Sequence, residues 1–210
     1  MRLLIVGATG GTGRALVAEA LERGHQVTAF ARRPEKLRTR HERLTVARGD
    51  VLEPASVDAA VAGQDAVLCA LGHKRWLGPT RILSDGTRNL VAAMARHGVR
   101  RLVCETSLGI GDSWGRMGLY YTAFVGVFIL PFYFADKVRQ ERIIRESALE
   151  WIIVRPGALN NGRRRGALRH GPKVGSWIWT VRISRADVAA FMLDQLTDDR
   201  YLRATPGVSW

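Results

Sequence analysis

Short apolar runs alternate with amphipathic stretches along the first half of the chain. Met1–Val6 (MRLLIV) is a run of strand formers, and the residues from Arg14 to Gly24 follow with helical apolar spacing. Gln26–Ala31 predicts a second strand, Leu44–Val51 a third with its turn, Asp65–Gly72 a fourth and Val99–Ser107 a fifth. Pro54 opens a helix between strands three and four, in the first turn where its missing N–H is harmless. Ser84–His97 predicts another helix, stopped by Gly98. The fourth strand is apolar without alternation, as a sheet covered on both faces requires. The second half predicts a helical region over Asp136–Ser147, a strand over Trp151–Pro156, a glycine- and arginine-rich loop, and a final helix from Ser184. Ser184 and Asp187 have the spacing of a capping box, with Asp in the Glu position. The order βαβαβαβαβ predicts an α/β fold: a doubly wound parallel sheet with helices on both faces and right-handed crossovers. No repeat, low-complexity tract or linker is visible, so residues 1–210 read as one domain, with 108–135 and 157–183 as substrate-side insertions.

The first connection carries the most specific chemistry. Between the first strand and helix stands Gly7-Ala8-Thr9-Gly10-Gly11-Thr12-Gly13. A helix N-terminus presents unpaired N–H groups and a partial positive charge, and the glycines let backbone approach a pyrophosphate and pack helix on strand. This layout predicts a dinucleotide site and hence a Rossmann fold. The second strand ends in Arg32-Arg33-Pro34, where NAD binders place an acid for the ribose 2′-hydroxyl. Two guanidiniums suit a 2′-phosphate instead, so NADP(H) is the expected cofactor, with surface charge the alternative role for the pair. Asp50 and Val51, after strand three, are placed to meet the adenine amino group and ring. Ligands of open α/β sheets bind outside the carboxyl ends of the strands. There Ala70, Leu71 and Gly72 end strand four, Thr106 ends strand five, and Pro156, Gly157 and Ala158 follow strand six with backbone groups for the carboxamide.

Composition adds three constraints. The net charge is +13, from 32 Lys and Arg against 19 Asp and Glu. Such a surface suits nucleic acid, anionic membrane or anionic ligands, or is a solvated arginine coat. No basic run is interleaved with aromatics for base stacking, so nucleic acid is not expected as a partner. Cys69 and Cys104 lie in strand-like runs without metal or redox spacing, and read as reduced core residues of a cytoplasmic protein with no signal peptide. The five histidines show no ligand spacing, and only His73 borders the expected crevice, so no metal site is predicted. The uncharged stretch Leu119–Ala135 is short for a membrane span and contains Pro131. It reads as a buried helix, a pocket lining, a homo-oligomer interface or a monotopic membrane contact. The loop Asn160–Lys173 carries Arg163, Arg164, Arg165 and Arg169, and suits either a mobile lid for an anionic substrate or a solvated loop.

GATGGTG, the arginine pair, Gly49-Asp50-Val51, Thr106-Ser107, Tyr133-x-x-x-Lys137 and Arg155-Pro156-Gly157 together resemble the atypical short-chain dehydrogenase/reductase superfamily. Over nearly the whole chain the resemblance is to its NADPH-dependent biliverdin/flavin reductase-like group. It implies that Ser107, Tyr133 and Lys137 are catalytic. Tyr133 would protonate the substrate carbonyl as hydride arrives, Lys137 would stabilise the tyrosinate and hold the nicotinamide ribose, and Ser107 would hydrogen-bond the carbonyl oxygen. The biliverdin/flavin group dispenses with the tyrosine and carries histidines where this chain has Lys137 and Ala158, a departure that bears on which acceptor is reduced. The expected function is hydride transfer from NADPH to a small or flat hydrophobic acceptor, possibly anionic: a carbonyl, flavin, quinone or tetrapyrrole. A non-catalytic NADP-binding sensor is the alternative, and an epimerase or isomerase a weaker one.

Overall fold

The N-terminal apolar run becomes β1 (Arg2–Val6), whose side chains leave the sheet alternately on two faces. The computed structural model describes residues 1–72, 78–123 and 131–210. After β1 come α1 (Gly11–Glu22), β2 (Gln26–Ala31), β3 (Leu44–Arg48), α2 (Pro54–Val61), β4 (Ala66–Cys69), α3 (Ile82–Arg96) and β5 (Arg101–Glu105). The second half contributes α4 (Pro131–Arg145), β6 (Glu150–Pro156), β7 (Ala158–Asn160), β8 (Arg169–Gly171), β9 (Arg182–Ser184), α5 (Arg185–Asp194) and β10 (Gly207–Ser209).

The main sheet has the order β3-β2-β1-β4-β5-β6-β10-β8, parallel except for β8, which runs antiparallel to β10. A separate parallel pair joins β7 to β9. Leu3 and Ile5 face a core with Leu16 and Val17 of α1 and Val188 and Phe191 of α5. Leu4 and Val6 face the other, with Val57 and Val61 of α2, Leu90 and Met94 of α3 and Ile144 of α4. This is the doubly wound arrangement expected. The order reverses between β1 and β4, which places the binding crevice at the carboxyl ends of those strands.

Two helices and four short strands differ from expectation. Among the described residues α4 runs from Pro131 rather than from Asp136. α3 starts at Ile82 rather than Ser84, because its leading N–H groups are capped from another helix by Asp136. β7, β8, β9 and β10 are three residues each, too short for a periodic signal. The expected cap on α5 is present, with Ser184 Oγ accepting from the Asp187 N–H at 3.0 Å. Cys69 and Cys104 are register partners on β4 and β5, both buried and unlinked. Among the described residues, no helix is long and apolar enough to cross a membrane.

Candidate functional site: a crevice at the sheet's switch point

One wall of the crevice is the glycine turn. Gly7 has φ +82, and a Cβ on it would strike the Ala70 carbonyl at the end of β4. Gly13 sits in the first turn of α1, where a Cβ would strike the Gly7 carbonyl. The Gly10 N–H closes the turn on the Gly7 oxygen at 2.9 Å. Gly10 is the N-cap and supplies no side-chain cap, and the first turn of α1 holds no acidic residue. The leading N–H groups of Gly11, Thr12 and Gly13 are therefore open to an anion, with the helix dipole behind them. The turn fits a pyrophosphate because its own glycines put no side chain in the way.

Two residues outside the glycine motif complete this wall. Thr12 is buried and its Oγ1 donates to Glu105 Oε1 at 2.9 Å, tying the turn to β5. Burial raises the Glu105 pKa against the opposing pull of Lys137, the Thr12 hydrogen bond and Arg185. Arg185 opens α5, and its side chain lies over Gly11 so closely that a Cβ there would meet its Nε and Cδ. One guanidinium nitrogen donates to Asn161 Oδ1 at 2.6 Å, which holds the cation at the turn. Arg185 is far from the turn in sequence and was visible there only as part of a helix cap.

At the β2 end, Arg32 and Arg33 are both exposed. Arg32 lies 3.8 Å from Asp50 Oδ2, while Asp50 Oδ1 accepts from the Leu52 N–H at 3.0 Å. Arg14, on the exposed side of α1, donates to the Lys36 carbonyl at 3.2 Å and so joins the arginine pair's end of the crevice. Val51 is buried against Gly86, where a Cβ would push into its side chain.

The opposite wall is α4. Lys137 is only 2% exposed, and its Nζ donates to the Leu71 carbonyl at 3.2 Å and the Glu105 carbonyl at 3.0 Å. It thereby bridges the carboxyl ends of β4 and β5. Burial pulls its pKa down, but Tyr133, Cys104, Glu105 and Cys69 around it outweigh that and hold it above the ordinary lysine value. Tyr133 lies one turn earlier, with its ring centroid 5.8 Å from Nζ and its hydroxyl beside Gly72. Asp136, between them, is fully buried and accepts from the Leu83 N–H at 2.9 Å and from Ser84 Oγ at 2.6 Å. That cap on α3 fixes the rotation of α4, and with it the aim of Tyr133 and Lys137. Thr106 Oγ1 donates to Glu141 at 2.7 Å, and Glu141 accepts from Arg155 at 2.9 Å. Ser107, half-buried at the end of β5, turns its hydroxyl onto the Leu108 carbonyl at 2.9 Å.

The turn after β6 is more committed than its sequence suggests. The Gly157 N–H donates to Val208 O at 2.9 Å and the Ala158 N–H to Val181 O at 2.8 Å. Pro156 has no N–H, so these three residues offer a carboxamide acceptors rather than amide donors. The basic loop is tied down as well. The Arg165 and Gly166 N–H groups donate to the buried Asp187 at 3.1 and 3.0 Å. Arg164 pairs with Glu19 at 3.0 Å, and the Arg165 guanidinium stacks 3.7 Å from the Trp210 ring centroid. At these points the loop is anchored to α1 and α5, which favours a fixed loop over a lid. His73 and the middle of the Leu119–Ala135 stretch lie outside the described residues. Ile110 and Trp114, with Pro131, Phe134, Ala135 and Val138 of α4, line an open apolar cavity of about 360 Å³.

A family model described as NAD(P)H-binding matches residues 7–199. The chain belongs to this family. It is 31% identical over 207 residues to an uncharacterized chloroplastic protein of Arabidopsis thaliana, covering 94% of this chain and 72% of that one. It spans less than half the length of several other curated relatives that it matches. Its fold is that of a short-chain dehydrogenase/reductase of Veillonella parvula solved in complex with NADP, with TM-score 0.81, 22% identity and coverage of 100% and 94% of the two chains. ChuY, an anaerobillin reductase from Escherichia coli O157:H7, has the same fold, with TM-score 0.79, 23% identity and coverage of 100% and 97%. The expected NAD(P)-binding family and Rossmann fold are thus both found. Arg14, Glu105 and Arg185 are crevice residues that sequence reasoning missed. Their only sequence signal is to lie near motif residues that point elsewhere.

Proposed function

We propose that this protein is an NADPH-dependent reductase acting on a small or flat hydrophobic acceptor. The observation that carries the reading is the buried Lys137 ammonium, held between the carboxyl ends of β4 and β5 with the Tyr133 ring beside it. A buried lysine with two carbonyl partners still has a third proton to direct at a ligand hydroxyl. NADPH, when bound, supplies the hydride. The open N–H groups of Gly11 to Gly13 and the Arg185 cation hold the pyrophosphate, and Arg32, Arg33 and Arg14 hold the 2′-phosphate. Asp50 and Val51 meet the adenine, and Ala70, Leu71, Gly72 and Thr106 line the edge leading to the nicotinamide. Lys137 fixes the ribose. Tyr133 Oη gives its proton to the acceptor oxygen and is reprotonated from solvent, while the Lys137 charge stabilises the phenolate between these events. Ser107 orients the acceptor after turning its hydroxyl from Leu108. The anaerobillin reductase sharing the fold makes a linear tetrapyrrole one acceptor to try, beside quinones, flavins and carbonyls.

A screen of those acceptors for NADPH oxidation tests the proposal. An active acceptor is expected, with turnover falling roughly 100-fold in Tyr133→Phe while NADPH binding persists. Oxidation of no acceptor above background would favour the second reading, a cofactor-binding sensor. One observation supports that reading: the Ser107 hydroxyl is engaged with Leu108 rather than directed across the crevice.

A further inference from the structure

Trp177, Ile178 and Trp179 form a crest on the surface, 68%, 69% and 76% exposed. Its backbone is fixed. Ser176 Oγ accepts the N–H groups of Ile178 at 3.2 Å and Trp179 at 3.0 Å, and the Ser176 N–H donates to Arg116 O at 2.8 Å. The Leu119 N–H donates to Ile178 O at 3.3 Å, and the Trp177 ring fills the space over Gly115. Leu119 is itself 70% exposed, and Trp114, beside Gly115, is 48% exposed. Scattered apolar residues on a surface are ordinary, but a contiguous, backbone-locked aromatic crest is not.

Charge says what covers it. The described residues 113–123, 131–135 and 151–186, which include both sides of this surface, contain no Asp or Glu, and Asp112 next to them is paired with Arg145 and Arg155. Lys173 and Arg182 flank the crest and are exposed, and Arg116 is held at its base by the Pro172 carbonyl. A second copy meeting this face about a two-fold axis would set these cations against their own images. An anionic lipid surface instead meets both features. Trp rings favour the headgroup level of a bilayer, and each nearby Lys or Arg adds attraction to anionic lipids.

We propose that the Trp177–Ile178–Trp179 crest docks this protein on an anionic lipid bilayer. The docking stands independently of the reductase reading. If both hold, the apolar cavity lined by Trp114 gives a lipid-dissolved acceptor a site next to the membrane.

Co-sedimentation with vesicles of phosphatidylglycerol or of phosphatidylcholine tests it, on the parent, Trp177→Ser/Trp179→Ser and Lys173→Glu/Arg182→Glu. The parent should bind phosphatidylglycerol vesicles, weakly or not at all phosphatidylcholine, and less as salt rises. Both variants should lose roughly 10-fold or more in vesicle affinity, since an interfacial contact needs its apolar and its cationic parts. Their melting temperatures and NADPH binding should stay near parental values, because the changed side chains are exposed and none is assigned to the cofactor. Absence of binding to phosphatidylglycerol, or undiminished binding by the tryptophan variant, overturns the proposal. So does a parental dimer in light scattering that the tryptophan variant dissolves, which would make the crest a contact between copies.

Discussion

Around α1 the crevice wall is backbone; around α4 it is buried side chains. Gly7, Gly10 and Gly13 work through what they lack, since a Cβ at Gly7 or Gly13 would strike a carbonyl. Asp136, Lys137 and Gln140 work through what they have: each is buried, and each reaches another element through a hydrogen bond. One wall is thus broken by adding atoms and the other by removing polar groups. The first fails chiefly in binding and folding, the second chiefly in turnover.

The largest effect should come from Gly13→Val. The added side chain strikes backbone at the Gly7 carbonyl and the Ala8 Cα, so the turn must open. We expect a loss of about 3 kcal/mol in stability, at the upper end for overpacking, and no stabilisation by NADPH in a thermal melt. Parental stability with intact cofactor binding would contradict the backbone reading of this wall. Lys137→Met keeps volume and removes the charge. It should lower turnover with an active acceptor roughly 100-fold while leaving a cooperative melt, because the buried Glu105 keeps the Thr12 hydrogen bond and the Arg185 charge. Equal loss of folding and activity would instead make Lys137 a structural residue.

Arg185→Ala sharpens the comparison, because this side chain belongs to the backbone wall. Removing it should weaken NADPH and NADH alike, by roughly 10-fold, as expected for a charge-assisted contact to the shared pyrophosphate. A change confined to NADPH would move Arg185 to the 2′-phosphate. The smallest effect concerns pH. Burial alone would raise the Asp187 pKa, but hydrogen bonds from Gly166, Trp210, Ser184 and Arg165 outweigh it and hold it below the ordinary value. Its contribution to folding is therefore complete above the ordinary aspartate pKa of about 3.9 and is lost as pH falls through the lower folded value. Acid titration should release the 165–166 loop in that range, seen as loss of amide protection, and Asp187→Asn should show a weaker pH dependence there.

The strands, the first helices and the glycine turn were legible because local spacing encodes them. Leu3 and Ile5 face one side and Leu4 and Val6 the other, yet all four are apolar, so the run announces a doubly covered strand. The site's remaining parts depend on contacts between residues distant in sequence. Nothing near Thr12 says that Glu105 lies under it, and nothing near Gly11 says that Arg185 lies over it. The Gly157 and Ala158 amides looked available because their partners, Val208 and Val181, sit on segments with no periodic signal of their own. The arginine-rich loop read as free for the same reason, its anchor Asp187 being legible only as a helix cap.

The NADPH preference proposed for the crevice rests on Arg32 and Arg33, and a fluorescence titration with NADPH and NADH addresses it most directly. The parent should bind NADPH roughly 10-fold or more tightly than NADH, and Arg32→Ala/Arg33→Ala should remove the difference by weakening NADPH alone. Equal affinity of the parent for both cofactors, or a preference that survives in the variant, would contradict the 2′-phosphate reading.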